Sequence, residues 1–272
     1  ENVLGGYVAY RTQNNYLEDY LDVFVADVFG RWFFDEPSGG RIFVAAEAAV
    51  VVGSSSLTRT ATRASTEVQQ FLAAVQVGRR EHHVDVVLEG GYASGDSNTE
   101  DGFERRGTMD PDHRIGLVLF PEVIAWQTAR AAFLATAEDT FGRPSRGAEL
   151  IPTNGGVSGA FYLFPTATWR PWDFLEGRLG AVLGFASADV VDPYRQRAES
   201  RSVNFRGGDP SRRDYGVEIA AAILAHGDIA TGVELQGGIE GGILFPGHAF
   251  DDETGRTMSE VGLARLRVGI SF

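Results

Sequence analysis

The stretch Ser259-Glu-Val-Gly-Leu-Ala-Arg-Leu-Arg-Val-Gly-Ile-Ser-Phe272 alternates with a period of two. Successive side chains of an extended strand leave on opposite faces, so Ala264, Leu266, Val268, Ile270 and Phe272 share one face. Arg265, Arg267, Gly269 and Ser271 share the other. One face suits hydrocarbon, the other suits water, and the run stops on an aromatic. Read this way, it is the closing strand of an outer-membrane β-barrel.

The same dyad recurs upstream. Val233, Leu235, Ile239 and Ile243 oppose Glu234, Gln236 and Glu240, and Tyr215, Val217, Ile219, Ala221 and Ile223 oppose Asp214 and Glu218. Leu175, Leu179, Ala181, Leu183 and Phe185 oppose Glu176 and Arg178, while Phe161, Leu163 and Trp169 oppose Thr166, Thr168 and Arg170. Val84, Val86 and Leu88 oppose Asp85 and Glu89, and Ile42, Val44, Ala46, Val50 and Val52 oppose Arg41 and Glu47. The stretches 66–79 and 3–12 are less regular, with Tyr7 and Tyr10 on opposite faces. In 20–34, Asp22 and Asp27 have opposite parity, which asks for a bulge or for a strand running beyond the bilayer. The expectation is an all-β fold, a transmembrane antiparallel up-and-down barrel of about ten strands forming one domain over 1–272. Short turns are expected near Glu36–Gly40, Gly78–His83, Pro171–Phe174 and His226–Asp228. Longer loops at 13–19, 54–65, 95–155, 190–213 and 246–258 would lie at the extracellular end. A soluble β-sandwich or lipocalin-like barrel also alternates, but its apolar side chains would point inward and its charges to solvent.

Composition bounds the reading. The 272 residues include 34 glycines, 11% aromatics and no cysteine, with a net charge of -13. The mean hydropathy of -0.11 is that of a soluble protein, which a barrel reconciles by enclosing its polar half. No window approaches the ~18 consecutive apolar residues of a spanning helix, so any span is made of strands. Lack of cysteine is compatible with an oxidising envelope, and no leader is visible at Glu1, which fits a processed chain or a fragment. The acidic balance argues against nucleic acid. The partners expected are outer-membrane lipid and an envelope or surface protein, with no cofactor.

Segment 95–155 is too long for a structureless loop and reads as a functional extracellular insertion. Pro121 and Glu122 suit the first turn of a helix, and Val123, Trp126, Arg130, Phe133 and Ala137 recur at helical spacing. The expectation is a short amphipathic helix acting as a plug or lid, with Pro121, Trp126, Arg130 and Phe133 as its gating residues. The alternative is one more hairpin over 115–125 and 127–137, giving twelve strands.

Three phrases carry a likeness to a known group: Glu89-Gly-Gly-Tyr-Ala-Ser-Gly-Asp-Ser-Asn98, Asp110-Pro-Asp-His-Arg-Ile-Gly-Leu-Val-Leu-Phe120 and Asn154-Gly-Gly-Val-Ser-Gly-Ala-Phe-Tyr-Leu-Phe-Pro165. With Leu244-Phe-Pro-Gly-His-Ala-Phe250 they resemble the alginate-export-type outer-membrane β-barrels over residues 85–272. The resemblance implies a passive conduit for an anionic polysaccharide, lined by basic residues and gated by loops. This chain is shorter than those barrels and has fewer strands.

A barrel of eight to ten strands is nearly filled by its own side chains. The lining would comprise Glu47, Asp85, Glu89, Arg170, Glu176, Arg178, Asp214, Glu218, Glu234, Gln236, Glu240, Arg265 and Arg267. Neighbours of opposite sign should bond in a ladder, because an unpaired charge away from water is costly. That ladder is either purely structural or the wall of a narrow, acidic, cation-leaning path constricted by arginines. Trp32, Phe33, Phe34, Trp169 and Trp172 at one end, and Tyr92 and Tyr162 at the other, would form aromatic girdles. His82 and His83 would point to opposite faces and so not chelate one ion. Asp96, Glu100 and Asp101, and Asp251, Asp252 and Glu253, offer oxygens for calcium without the spacing of a dedicated loop. Ser97 would need a positioned histidine, His113 or His248, to act as a nucleophile, and no enzyme is expected. The reading is a narrow, loop-gated channel for small or anionic solutes, or else a non-transporting barrel anchor whose loops hold a partner protein.

Overall fold

In the computed structural model, which describes residues 2–15, 18–37, 39–57, 63–136, 151–230 and 233–271, the chain is all-β apart from short helices. One sheet holds β1 (Val3–Asn14), β2 (Tyr20–Asp35), β3 (Arg41–Ser55), β4 (Thr66–Arg80), β5 (Val84–Ala93) and the two-residue β6 (Phe103–Glu104). It continues with β7 (Ala160–Trp172), β8 (Leu175–Ala186), β9 (Asp214–Ala230), β10 (Val233–Pro246) and β11 (Val261–Ser271). Ten strands pair antiparallel in chain order, and β6 lies parallel to β4 beside Glu67 and Val68. Among the described residues β1 pairs only with β2 and β11 only with β10, so the sheet is not closed. No described helix is long and apolar enough to cross a membrane.

Alternation sorts the side chains. Large apolar residues on one face are open to the surroundings, among them Val50, Val75, Leu88, Leu163, Leu179, Ile223, Ile239 at 64% exposure and Leu266 at 73%. The other face carries the charges and curves around the insertion, since residues 107–136 touch β4, β5, β7, β8, β9, β10 and β11. A soluble barrel would have the two faces reversed. Val118, Leu119 and Phe120 are fully buried in the main apolar core, with Tyr162, Val182, Leu244 and Phe250.

Several expectations are corrected. Strand β2 runs in unbroken register with β1 and β3, so the parity of Asp22 and Asp27 reflects strand length, not a bulge. A bulge lies in β9 instead, where the register shifts between Gly184 and Phe185 and Gly216 takes φ +96°. Tyr215 therefore turns into the core against Phe250, 5.5 Å between ring centroids. Asp214 falls opposite Phe185, off the inward row, and its carboxylate accepts from the Gly216 N–H. The turn expected at His226–Asp228 is ladder, with Gln236 opposite His226, and β9 runs on to Ala230. Phe33 packs inward on Phe43 at 6.2 Å, beside the cations of Arg31 and Arg41, while Trp32 and Phe34 stay on the exposed face. Tyr162 is likewise buried and inward, so only Tyr92 of that pair is on the exposed side. The rings of His82 and His83 touch at 4.3 Å because both lie in the turn, where strand alternation does not apply.

The extra hairpin is not formed. A π-helical turn over Leu119–Ile124 runs into α1 (Ala125–Thr136), whose alanines, glutamine and arginine favour helix. A short α2 (Pro193–Glu199), capped by Asp192, packs against α1. Ala137 lies outside the described residues.

The bulge gives a direct test. A Cβ at Gly216 would lie 2.1 Å from the Phe245 carbonyl oxygen, whereas at Gly237 the nearest atom is 4.0 Å away. Gly216→Ala is expected to destabilise by about 1–3 kcal/mol and Gly237→Ala to be near neutral, as read by urea unfolding followed by tyrosine and tryptophan fluorescence.

Candidate functional site

The centre of the molecule is the meeting of the insertion with the inward face. Glu218, fully buried in β9, accepts three backbone N–H groups: Leu117 at 2.5 Å, Val118 at 3.1 Å and Leu119 at 2.8 Å. These are donors that a helix start leaves without partners, and the carboxylate also complements the positive end of the helix dipole. Gly116 (φ +72°) permits the approach, because a Cβ there would sit 2.7 Å from both carboxylate oxygens.

A second tether lies across the sheet. Buried Glu89 accepts from the Tyr162 hydroxyl at 2.6 Å and Gln76 at 2.8 Å, and His113 Nε2 stands 2.8 Å from its Oε1. The same nitrogen is 3.1 Å from the Tyr162 oxygen. The bond to Glu89 holds the His113 imidazolium above its usual pKa, outweighing the opposite effect of burial. Glu122 closes the third side by pairing with Arg265 of β11.

The other inward charges form a ladder near the short-turn end. Arg170 bonds Asp85 at 3.0 Å and Glu176 at 2.9 Å, and Glu176 also pairs with Arg178. Glu240 bonds Arg267 at 2.6 Å and stands 3.7 Å from Arg265, and Glu234 lies 3.2 Å from His226. Below the insertion a cavity of about 640 Å³ is lined by Arg170, Glu176, Arg178, His226, Glu234, Gln236 and Arg267. Glu47 faces a separate space beside His113. Asp214 alone of the expected lining leaves the inward row.

The helical stripe is split: Val123 is buried in the core, whereas its two aromatics face outward. Trp126 is 64% and Phe133 73% exposed, and Arg130 stacks over Trp126 while donating to the Phe205 carbonyl at 2.5 Å. The buried face of α1 is made by Gln127, Thr128, Ala131, Ala132 and Ala135. Small residues are what let the helix lie close to its neighbours, and Trp126 and Phe133 lie off that seam. Pro121 is half-buried inside the π-helical turn.

The acidic loop residues serve as loop staples. Asp96 accepts from the Asn98 and Arg105 N–H groups, with burial pushing its carboxyl above its ordinary pKa. Glu100 pairs with Arg197 and Asp101 with Arg105. Asp251 binds Thr257 and His248, and Asp252, its pKa lowered by the Thr254 hydroxyl, caps the turn at 252–256. No group of three potential metal ligands occurs among the described residues. His113 is engaged by Glu89 and His248 by Asp251, and neither bonds Ser97 among the described residues. Sequence reasoning passed over Asn204, whose buried amide donates to Ala249 and Asp251 and accepts from Arg206 and Gly208, joining loop 187–213 to loop 247–260. A lone loop asparagine carries no signal of such a role.

No protein-family model matches the chain, and no curated protein matches it.

Two measurements follow. Glu218→Gln leaves one acceptor where two served, so the seat of the insertion should weaken by about 1.5–3 kcal/mol, seen as faster amide exchange at Leu117–Leu119. His113 has a folded pKa above its unfolded value of about 6.5, so its contribution is complete below that pH and is lost as pH rises through the folded value. Exchange across 107–118, corrected for intrinsic rates, should accelerate with rising pH in the parent chain and stay flat in His113→Asn.

Proposed function

We propose that the chain is a bacterial outer-membrane β-barrel acting as a narrow channel for small solutes, gated by the insertion seated in its interior. The observation that carries this is the pairing of a continuous exposed apolar face outside with an apolar segment inside that is tied down by buried Glu218. A soluble protein rarely exposes so broad an apolar surface, whereas a lipid-facing band demands it. Exposed Trp32, Phe34, Trp169 and Trp172 near the short turns suit an interfacial girdle. An even number of long strands leaves β1 and β11 antiparallel, the relation that closure of the barrel requires.

With ten long strands and a filled upper half, the interior is too narrow for a polymer. The likeness to alginate-export-type barrels therefore goes with the architecture and the envelope location rather than with polysaccharide export. The exposed Trp126 and Phe133 at the long-loop end favour a second reading, a non-transporting anchor whose extracellular loops hold an envelope or surface protein.

Single-channel recording separates the two. The parent chain in a planar bilayer should show small or infrequent openings, and Glu218→Gln should open more often; silence of both leaves only the anchor. For the membrane itself, Leu266→Arg or Val268→Arg should cost about 2–4 kcal/mol on folding into lipid vesicles while Gln236→Arg is tolerated. Equal tolerance at the two faces, or a folded chain in detergent-free buffer, would remove the reading.

A further inference from the structure

The insertion does not fill the interior evenly. Toward β8, β9 and β10 it packs without space: Val118, Leu119 and Phe120 are fully buried, and Cβ atoms added at Gly184 and Gly242 would meet Leu119 and Val118 at 2.6 and 3.2 Å. Toward β2 and β3 it stands clear, and its contacts with β4 lie at the long-loop end, where β6 pairs with Glu67 and Val68 and Gly107 meets Leu72. Two adjoining cavities of about 210 and 370 Å³ share Glu47, Ala74 and His113 as lining. Local sequence contributes: the inward positions there include Ala45, Ala49 and Ala74 among Phe29, Leu72 and Gln76, where the opposite wall carries Val182, Tyr215 and Leu244. We propose that solute passes the insertion on this side only, that the passage prefers small inorganic cations, and that Glu47 sets the preference while protonation of His113 weakens it.

This rests on the channel reading above. Several elements bring charged or titratable groups to His113. Glu89 and Tyr162 bond it from β5 and β7, Glu47 and Arg31 line the same space from β3 and β2, and Asp110 precedes it on its own segment. Three carboxylates thus stand against one arginine and one histidine, so the wall is negative in either state of His113 and more so when the ring is neutral. Arg31 is partly spent over the Phe33 ring, 5.3 Å from its centroid, whereas Glu47 has no ion-pair partner among the described residues. A fixed, unpaired carboxylate beside a narrow path concentrates cations and repels anions. Deprotonation of His113 also releases its hold on Glu89, so rising pH both loosens the insertion and deepens the negative wall.

The absence of cysteine makes the route testable by thiol accessibility in the full chain. Ala74→Cys should react with a cationic methanethiosulfonate reagent in detergent micelles and, in a bilayer, lose most of its current on modification. Val182→Cys, buried on the packed side, should resist the reagent. In a potassium chloride gradient the parent chain should be cation-selective, with the cation-to-anion permeability ratio falling several-fold in Glu47→Gln, by about the effect of one wall charge. Asp209→Asn, a loop carboxylate far from the passage, serves as the control and should leave the ratio unchanged. The ratio should rise with pH in the parent chain and become pH-independent in His113→Asn. Equal labelling at 74 and 182, or a ratio indifferent to Glu47, overturns the one-sided cation route while leaving a channel in place. Absence of current in the parent chain and in Glu218→Gln overturns the channel and this route together.

Discussion

One buried carboxylate organises the interior. Glu218 projects from β9 into a place without water, where an unpaired charge would be costly, and three consecutive N–H groups of the insertion satisfy it. The dependence is mutual: the start of the π-helical turn needs acceptors that no other residue supplies, and the carboxylate needs donors. From this contact follow the burial of Val118, Leu119 and Phe120, the need for glycine at 116, and the placing of Glu122 within reach of Arg265. The insertion is thus part of the core and not a loop resting on it.

The sheet obeys a complementary constraint. With most large apolar residues turned outward, the short-turn half of the inner wall has little hydrophobic contact beyond Phe33 on Phe43, and bonded charges connect the strands there. Asp85, Arg170, Glu176 and Arg178 connect β5, β7 and β8, while Glu240, Arg265 and Arg267 connect β10 and β11. Each of these pairs is partly wet, so individually they are worth little, and their value lies in fixing register across neighbouring strands.

Much of the architecture was legible because strand alternation is a local property. The dyads of β3, β5, β7, β8, β10 and β11, and the long insertion between β5 and β7, could be read from residue order alone. What escaped depends on contacts across the fold. Tyr215 looked like an outward residue because a single-residue bulge at Gly216 is invisible to parity counting. Tyr162 looked like an interfacial aromatic because its partner Glu89 lies 73 positions away. The helix was legible, but its orientation was not: alanines signal a close-packed seam only when the neighbour is known. Glu218 was placed on the inward face, yet nothing in its neighbourhood announced that it caps a segment a hundred residues earlier.

The pair formed by Arg265 and Glu122 spans 143 positions of chain. Final seating of the tenth long strand therefore includes a contact with a segment made much earlier in synthesis, and closure over so long a loop is slow. During that delay the rims of β1 and β11 are exposed templates for mispairing with other chains. The later that contact forms, the longer those rims stay open to other chains.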